Sequence, residues 1–258
     1  MTHNHGAVAV PSAGVALVLV LAIAYEAMAL RQPSGRRWPS ARIAAFLGGC
    51  LVLAIGVSGE LSPWPPGDFR GHMLQHLLVG MIAPLGLVLG APITLVLRTV
   101  PRGLGRWLGR LLHHRALRPV AHPVTALLLT VGGFAALYAT PLYTVVAGRP
   151  ALHNLMTAHF VLAGCLFVWV IAGPDPAPRR PSVPARLVVL GVAVAAHAIV
   201  SQLLYAGVIA PVDVATAQRQ GAATLMYYGG DIAELLVAAA LVSGWRPARR
   251  ATLPANAV

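Results

Sequence analysis

Five histidines, two methionines and two acids set within apolar sequence are the residues of this chain best suited to chemistry. His72 and His76, in HMLQH, lie four apart, which on a helix puts them on one face a turn apart, with Met73 beside His76. His153 and His159, in HNLMTAH, are six apart and so fan roughly 120° around an ideal helix, with Met156 three residues from each. His197 stands alone in AAHAIV, and Asp231 and Glu234 are about one turn apart. Neutral imidazole and thioether suit copper, particularly Cu(I), better than hard ions, which prefer oxygen. The two acids have the chemistry to orient imidazoles as acceptors or to move protons.

The elements that must position these groups are membrane spans. Of 258 residues, 57% are hydrophobic and only 10% charged, with a mean hydropathy of +0.74, whereas a soluble domain carries about a quarter charged residues. Seven apolar runs approach the ~20 residues that a bilayer core requires: Ser12–Leu30, Ile43–Ser58, Gly71–Leu97, Pro123–Thr140, Ala151–Ala172, Leu187–Ile209 and Gly221–Gly244. The expected architecture is an all-α bundle of seven transmembrane helices (12–244) between a short extracytoplasmic tail (1–11) and a cytoplasmic tail (245–258). Pro84 and Pro92 interrupt the third run and are expected to kink or break it.

Charge sets the expected orientation. The formal net charge of +12 sets nineteen basic residues, all arginine, against seven acids, with sixteen arginines following the first, third, fifth and seventh runs and three (Arg70, Arg149 and Arg219) in the alternate loops. The positive-inside rule then places the N-terminus outside and the C-terminus in the cytoplasm. Arginines clustered between spans set topology and make no binding stripe, so nucleic acid is not an expected partner; membrane lipid is. Arg98–Arg118, with Trp107, Leu108, Leu111 and Leu112 between its arginines, reads as a basic topogenic loop or as an amphipathic helix along the inner leaflet. The N-terminus has no positive charge before its first apolar run, so that run is expected to stay as a span.

This topology brings His72, His76, His153, Met156 and His159 to the outer ends of the third and fifth spans, and His197, Asp231 and Glu234 to mid-depth. Packed together, the third, fifth, sixth and seventh spans would line one interior region that opens to the outside. Any single histidine at a span end is more commonly an interfacial imidazole satisfied by water. Met73 and Met156 taken alone read as packing, Glu26 as a snorkelling acid or a partner of Arg31, and His3 and His5 as incidental to a tail. As a set, intramembrane ionisable residues are rare and usually paired. Cys50 and Cys165 sit in separate apolar runs with no C-x-x-C spacing, which argues against a disulfide framework or a thiolate clip. The residues leave four functions open: copper handling, a metal-dependent enzyme that activates water on zinc or another ion, a b-haem carrier with His159 and His197 as axial ligands, and a scaffold. No H-E-x-x-H motif supports the enzyme.

Three blocks carry a resemblance. The run GHMLQHLLVGMIAPLGLVLGAPITLVLR, the block HNLMTAHFVLAGCLFVWVIAGPDP and the last-span block QRQGAATLMYYGGDIAELL are similar to signatures of the polytopic CtaG family of cytochrome c oxidase assembly factors, from about Leu61 to Ser243. The resemblance implies a seven-span protein of the bacterial plasma membrane that helps build a haem–copper oxidase, with copper insertion as the implied step. A cytochrome c oxidase subunit and an extracytoplasmic copper donor are the implied partners, and no catalytic activity is implied. By position, His72, His76, His153, His159 and His197 would be the family's polar site and Asp231 the acid of its last span. The chain departs from the pattern at Ala217, where an acid is expected, and at Ala233, where a proline is expected.

Overall fold

A computed structural model describes residues 12–59, 62–178, 180–209 and 214–245, and every regular element among them is helical. Besides two single turns, Ser34–Arg36 and Leu117–Val120, these are in chain order α1 (Ala13–Leu30), α2 (Ser40–Ser58), α3 (Phe69–Leu89), α4 (Pro92–Thr99), α5 (Arg102–Leu112), α6 (Pro123–Ala139), α7 (Leu142–Ala147), α8 (Pro150–Ile171), α9 (Val183–Ala206) and α10 (Thr216–Ser243). Six of them, α1, α2, α3, α8, α9 and α10, are long and apolar enough to cross a membrane. The expected fourth span, α6, is shorter, because Pro123 opens it and the extended Thr140 before Pro141 closes it. The expectations for His3, His5 and the cytoplasmic tail beyond Trp245 lie outside the described residues, as do Glu60 and Arg179.

Helix α3 is the centre of the bundle, packed against α2, α8 and α10. Glycine makes these approaches close. A Cβ on Gly49 of α2 would come within 2.9 Å of the Ala83 carbonyl, and one on Gly164 of α8 would run into the carbonyl of Gly80. With little hydrophobic drive between helices in lipid, such backbone-to-backbone contact is what holds spans together. Helix α9 reaches the centre indirectly, through α10 and α6.

The two prolines of the third run act differently. Pro84 cannot donate to the carbonyl four residues back, and the backbone widens to a π-turn at Leu78–Ile82 before continuing to Leu89. At Pro92 the expected break occurs. The run does not continue to Leu97 as one helix, because the chain turns at Ala91, the one non-glycine residue with positive φ (53°) among those described. That costly conformation is pinned from both sides. The Tyr25 hydroxyl donates to the Gly90 carbonyl (2.7 Å), and buried Asp175 accepts from the backbone N–H groups of Ile93 (3.0 Å) and Thr94 (2.8 Å) at the start of α4. Asp175 belongs to the G-P-D-P turn, so that motif caps a helix.

Arg70, Arg149 and Arg219 lie at the end of the bundle where α3, α8 and α10 begin, and the other described arginines at the opposite end. Within the basic loop, α5 exposes Leu104, Trp107 and Leu111. Glu26 is exposed and forms no ion pair with Arg31 among the described residues.

Candidate functional site

The arginine-poor end holds a vestibule of about 640 Å³. Exposed Pro65, Pro66 and Gly67 form its lip, and His72, Gln75 and His153 line it deeper down. Asp68 anchors the rim by capping α3. It accepts from the Arg70 backbone N–H (2.9 Å) and from the Arg70 guanidinium at Nε (3.0 Å) and Nη2 (2.7 Å). This guanidinium, which also sits 5.4 Å from the Trp64 ring centre, holds the Asp68 carboxyl below its ordinary range.

Below the rim, α3 and α8 bring the rings of His72 and His153 to 6.1 Å between centres. His72 stacks on Phe69 and meets the edges of Tyr138 and Tyr143, and its Nε2 is buried with no hydrogen-bond partner. A neck of about 20 Å³ follows, lined by His72, His76, His153 and Met156 among others. The helical spacing of His72 and His76 is what lets both rings reach it. His76 is clamped between Phe160 (4.1 Å) and Phe134 (5.1 Å), and its Nδ1 is also buried without a partner.

His76 also lines a third, deeper cavity of about 40 Å³, with His197, Glu234, Met81 and Met226. The His197 ring lies over Gly230, where a Cβ would collide with it, and across from Phe134 at 5.1 Å. Its Nδ1 is 3.3 Å from Oε1 of Glu234, and both side chains are buried. His197 Nε2 and Glu234 Oε2 have no partner. A buried polar atom left unpaired costs about 1–3 kcal/mol, so three such imidazole nitrogens along one path are an expensive arrangement. The expected single polar region is thus three chambers in series, joined by shared imidazoles.

Three of the expected residues stand apart from this path. His159 Nε2 lies 3.2 Å from the carbonyl of Leu129, inside a second π-turn at Leu128–Gly132, so this ring donates to a backbone oxygen of α6. It lines none of the three chambers and shares none with His197. Met73 is wholly buried in the core with Phe69, Phe134 and Met226. Asp231, one turn from Glu234, is half-buried and lines no chamber. Among the described residues, no three His, Cys, Asp or Glu side chains are gathered as a ready metal site. The structure adds groups that sequence reading passed over. Phe134 and Tyr138 of α6 and Phe160 of α8 form the aromatic walls, and Met81 and Met226 supply thioethers to the deep cavity. Aromatic residues four apart in GFAALYA were the signal available for the first two.

A family model described as the cytochrome c oxidase caa3 assembly factor matches residues 21–248. Uncharacterised proteins of Mycobacterium bovis and Mycobacterium tuberculosis are each 37% identical over 194 residues, and one of Mycobacterium leprae is 36% identical over 191. These alignments cover 71–72% of this chain and 29% of each relative, so the chain spans under a third of their length. No solved structure matches it.

Proposed function

This chain belongs to the cytochrome c oxidase caa3 assembly factor family, and from that premise we propose that it takes up copper as Cu(I) at His72 and His153 and presents it to a haem–copper oxidase subunit. It is a multi-pass protein of the bacterial plasma membrane. In this reading α6 crosses the membrane as a seventh span, since about 17 residues is the lower limit for one. In the same reading the vestibule faces outside, in keeping with the arginine asymmetry, and receives copper from an extracytoplasmic donor.

The observation that carries the reading is the His72–His153 pair. Two imidazoles sharing one ion through metal–nitrogen bonds of about 2 Å have ring centres roughly 6 Å apart, and these stand at 6.1 Å with His72 Nε2 unpaired. Met156 lines the neck beneath them and offers a thioether to the same ion. Cu(I) accepts such low coordination, and exchange between imidazoles needs no general base, so delivery requires no catalysis by the chain.

One observation favours a second reading. The unpaired Glu234 Oε2 beside His76 and His197 has the form of a base next to a metal-bound water, as in a zinc or iron enzyme. Zinc or iron in the purified protein, or the absorbance of haem b, would mark that class.

The test is oxidase maturation in a host deleted for its own copy of the gene. With the chain restored, the oxidase should regain copper and activity, and the His72→Ala/His153→Ala chain, present at the same level in the membrane, should leave both near the deletion background. Full activity with the double variant would overturn the reading.

A further inference from the structure

The deep cavity holds a set of donors separate from the vestibule. His197 Nε2, buried and unpaired, lines it with His76, Met81 and Met226. Oε1 of Glu234 lies 3.3 Å from His197 Nδ1; a carboxylate accepting there places the ring proton on Nδ1 and leaves the Nε2 lone pair for the cavity. A carboxylate holding an imidazole in this way is the usual outer partner of a metal-ligating histidine. The space, about 40 Å³, admits a bare ion or a few waters but no full hydration shell. Thioethers and neutral imidazoles select a soft cation, and among the described residues Glu234 is the only carboxylate on the wall.

We propose that this cavity is a second position for a soft monovalent cation such as Cu(I), with His197, His76, Met81 and Met226 as donors and Glu234 as the residue that positions His197. The proposal rests on the vestibule reading above for the first position. His76 connects the two, because its ring lines both the neck and the deep cavity, clamped between Phe134 and Phe160. Transfer is a ligand exchange: a metal–nitrogen bond to His72 or His153 breaks as one to His76 forms, and the ion keeps its charge throughout. A cation held beyond the neck is shielded from the vestibule, so the chain stores one ion while the outer pair accepts another.

The full chain purified in detergent, titrated anaerobically with Cu(I) against a coloured Cu(I) chelator, decides this. The parent should retain two equivalents, His72→Ala/His153→Ala one, and His197→Ala one. Glu234→Gln, whose amide oxygen still accepts from Nδ1, should keep the second equivalent with affinity lowered about 10–100-fold. Should His197→Ala fold poorly, the near-isosteric Met81→Leu/Met226→Leu chain carries the test. Its second equivalent should lose sulfur scattering in X-ray absorption and bind at least tenfold more weakly. A parent that binds one equivalent, lost in the His72/His153 variant and untouched in His197→Ala, overturns the second position and leaves the vestibule reading standing. A parent that binds none overturns both.

Discussion

His72 on α3 and His153 on α8 place their ring centres 6.1 Å apart at the inner limit of the vestibule, with the His72 Nε2 atom shut away from solvent and unpaired. Two helices meet here because glycine lets them. Gly80 of α3 and Gly164 of α8 bring the backbones into contact a few turns below, so the imidazole pair is built on the tightest crossing in that part of the bundle.

Gly164→Ala should therefore act at a distance. Its methyl group would run into the Gly80 carbonyl, and overpacking of this kind costs about 1–3 kcal/mol. Thermal unfolding in detergent should show a clear drop for this variant and none for Gly191→Ala, where nothing lies within 4 Å of the added carbon.

His159 separates structure from metal handling. Because its ring donates to the Leu129 carbonyl, His159→Ala should lower stability by about 1 kcal/mol, the net value of one hydrogen bond. Copper stoichiometry should be unchanged. A copper equivalent lost in His159→Ala would show that this imidazole serves the path after all.

Asp175→Ala should uncap α4. Losing an N-cap costs about 0.5–2 kcal/mol, and here the vacated carboxylate also served the Thr94 hydroxyl at 2.5 Å. The effect should be read as a lower unfolding temperature and faster proteolysis of the turn at Gly90–Ala91. Equal stability of the variant and the parent would remove Asp175 from that role.

The rim has a pH signature. The Asp68 carboxyl ionises below its ordinary value of 3.8, chiefly through its hydrogen bond to the Arg70 guanidinium. A depressed carboxylate contributes stability that is complete above its unfolded pKa and is lost as pH falls through its folded one. The advantage of the parent over Asp68→Asn should accordingly stay level from neutral pH down to about 4 and shrink only below that. Unfolding temperatures measured across this range check it, and an advantage that fades already between pH 7 and 5 would contradict it.

The positions of the long helices, the break at Pro92 and the shared face of His72 and His76 were legible in the sequence, since each follows from a period, a missing N–H or a one-turn spacing, whereas the approach of His153 depends on which helices pack together. What the sequence hid has physical causes. A π-turn leaves no compositional mark, so nothing in HNLMTAH reveals that His159 turns to the Leu129 carbonyl while His153 faces the vestibule. Asp231 and Glu234 look alike in the sequence, and only the position of His197 on a neighbouring helix singles out Glu234. Phe134 and Phe160 divide what composition presents as one polar region, because bulky rings from two different helices close around His76.

The proposed copper site stands or falls on whether imidazoles from α3 and α8 together hold a soft cation. The decisive measurement is X-ray absorption on the purified His197→Ala chain, which keeps the vestibule position alone, loaded with one equivalent of Cu(I). Low-coordinate Cu(I) with the multiple scattering of imidazole rings is expected, and that scattering should be lost when His72 and His153 are also replaced by Ala. A spectrum without imidazole scattering, or one that the double replacement leaves unchanged, would contradict it.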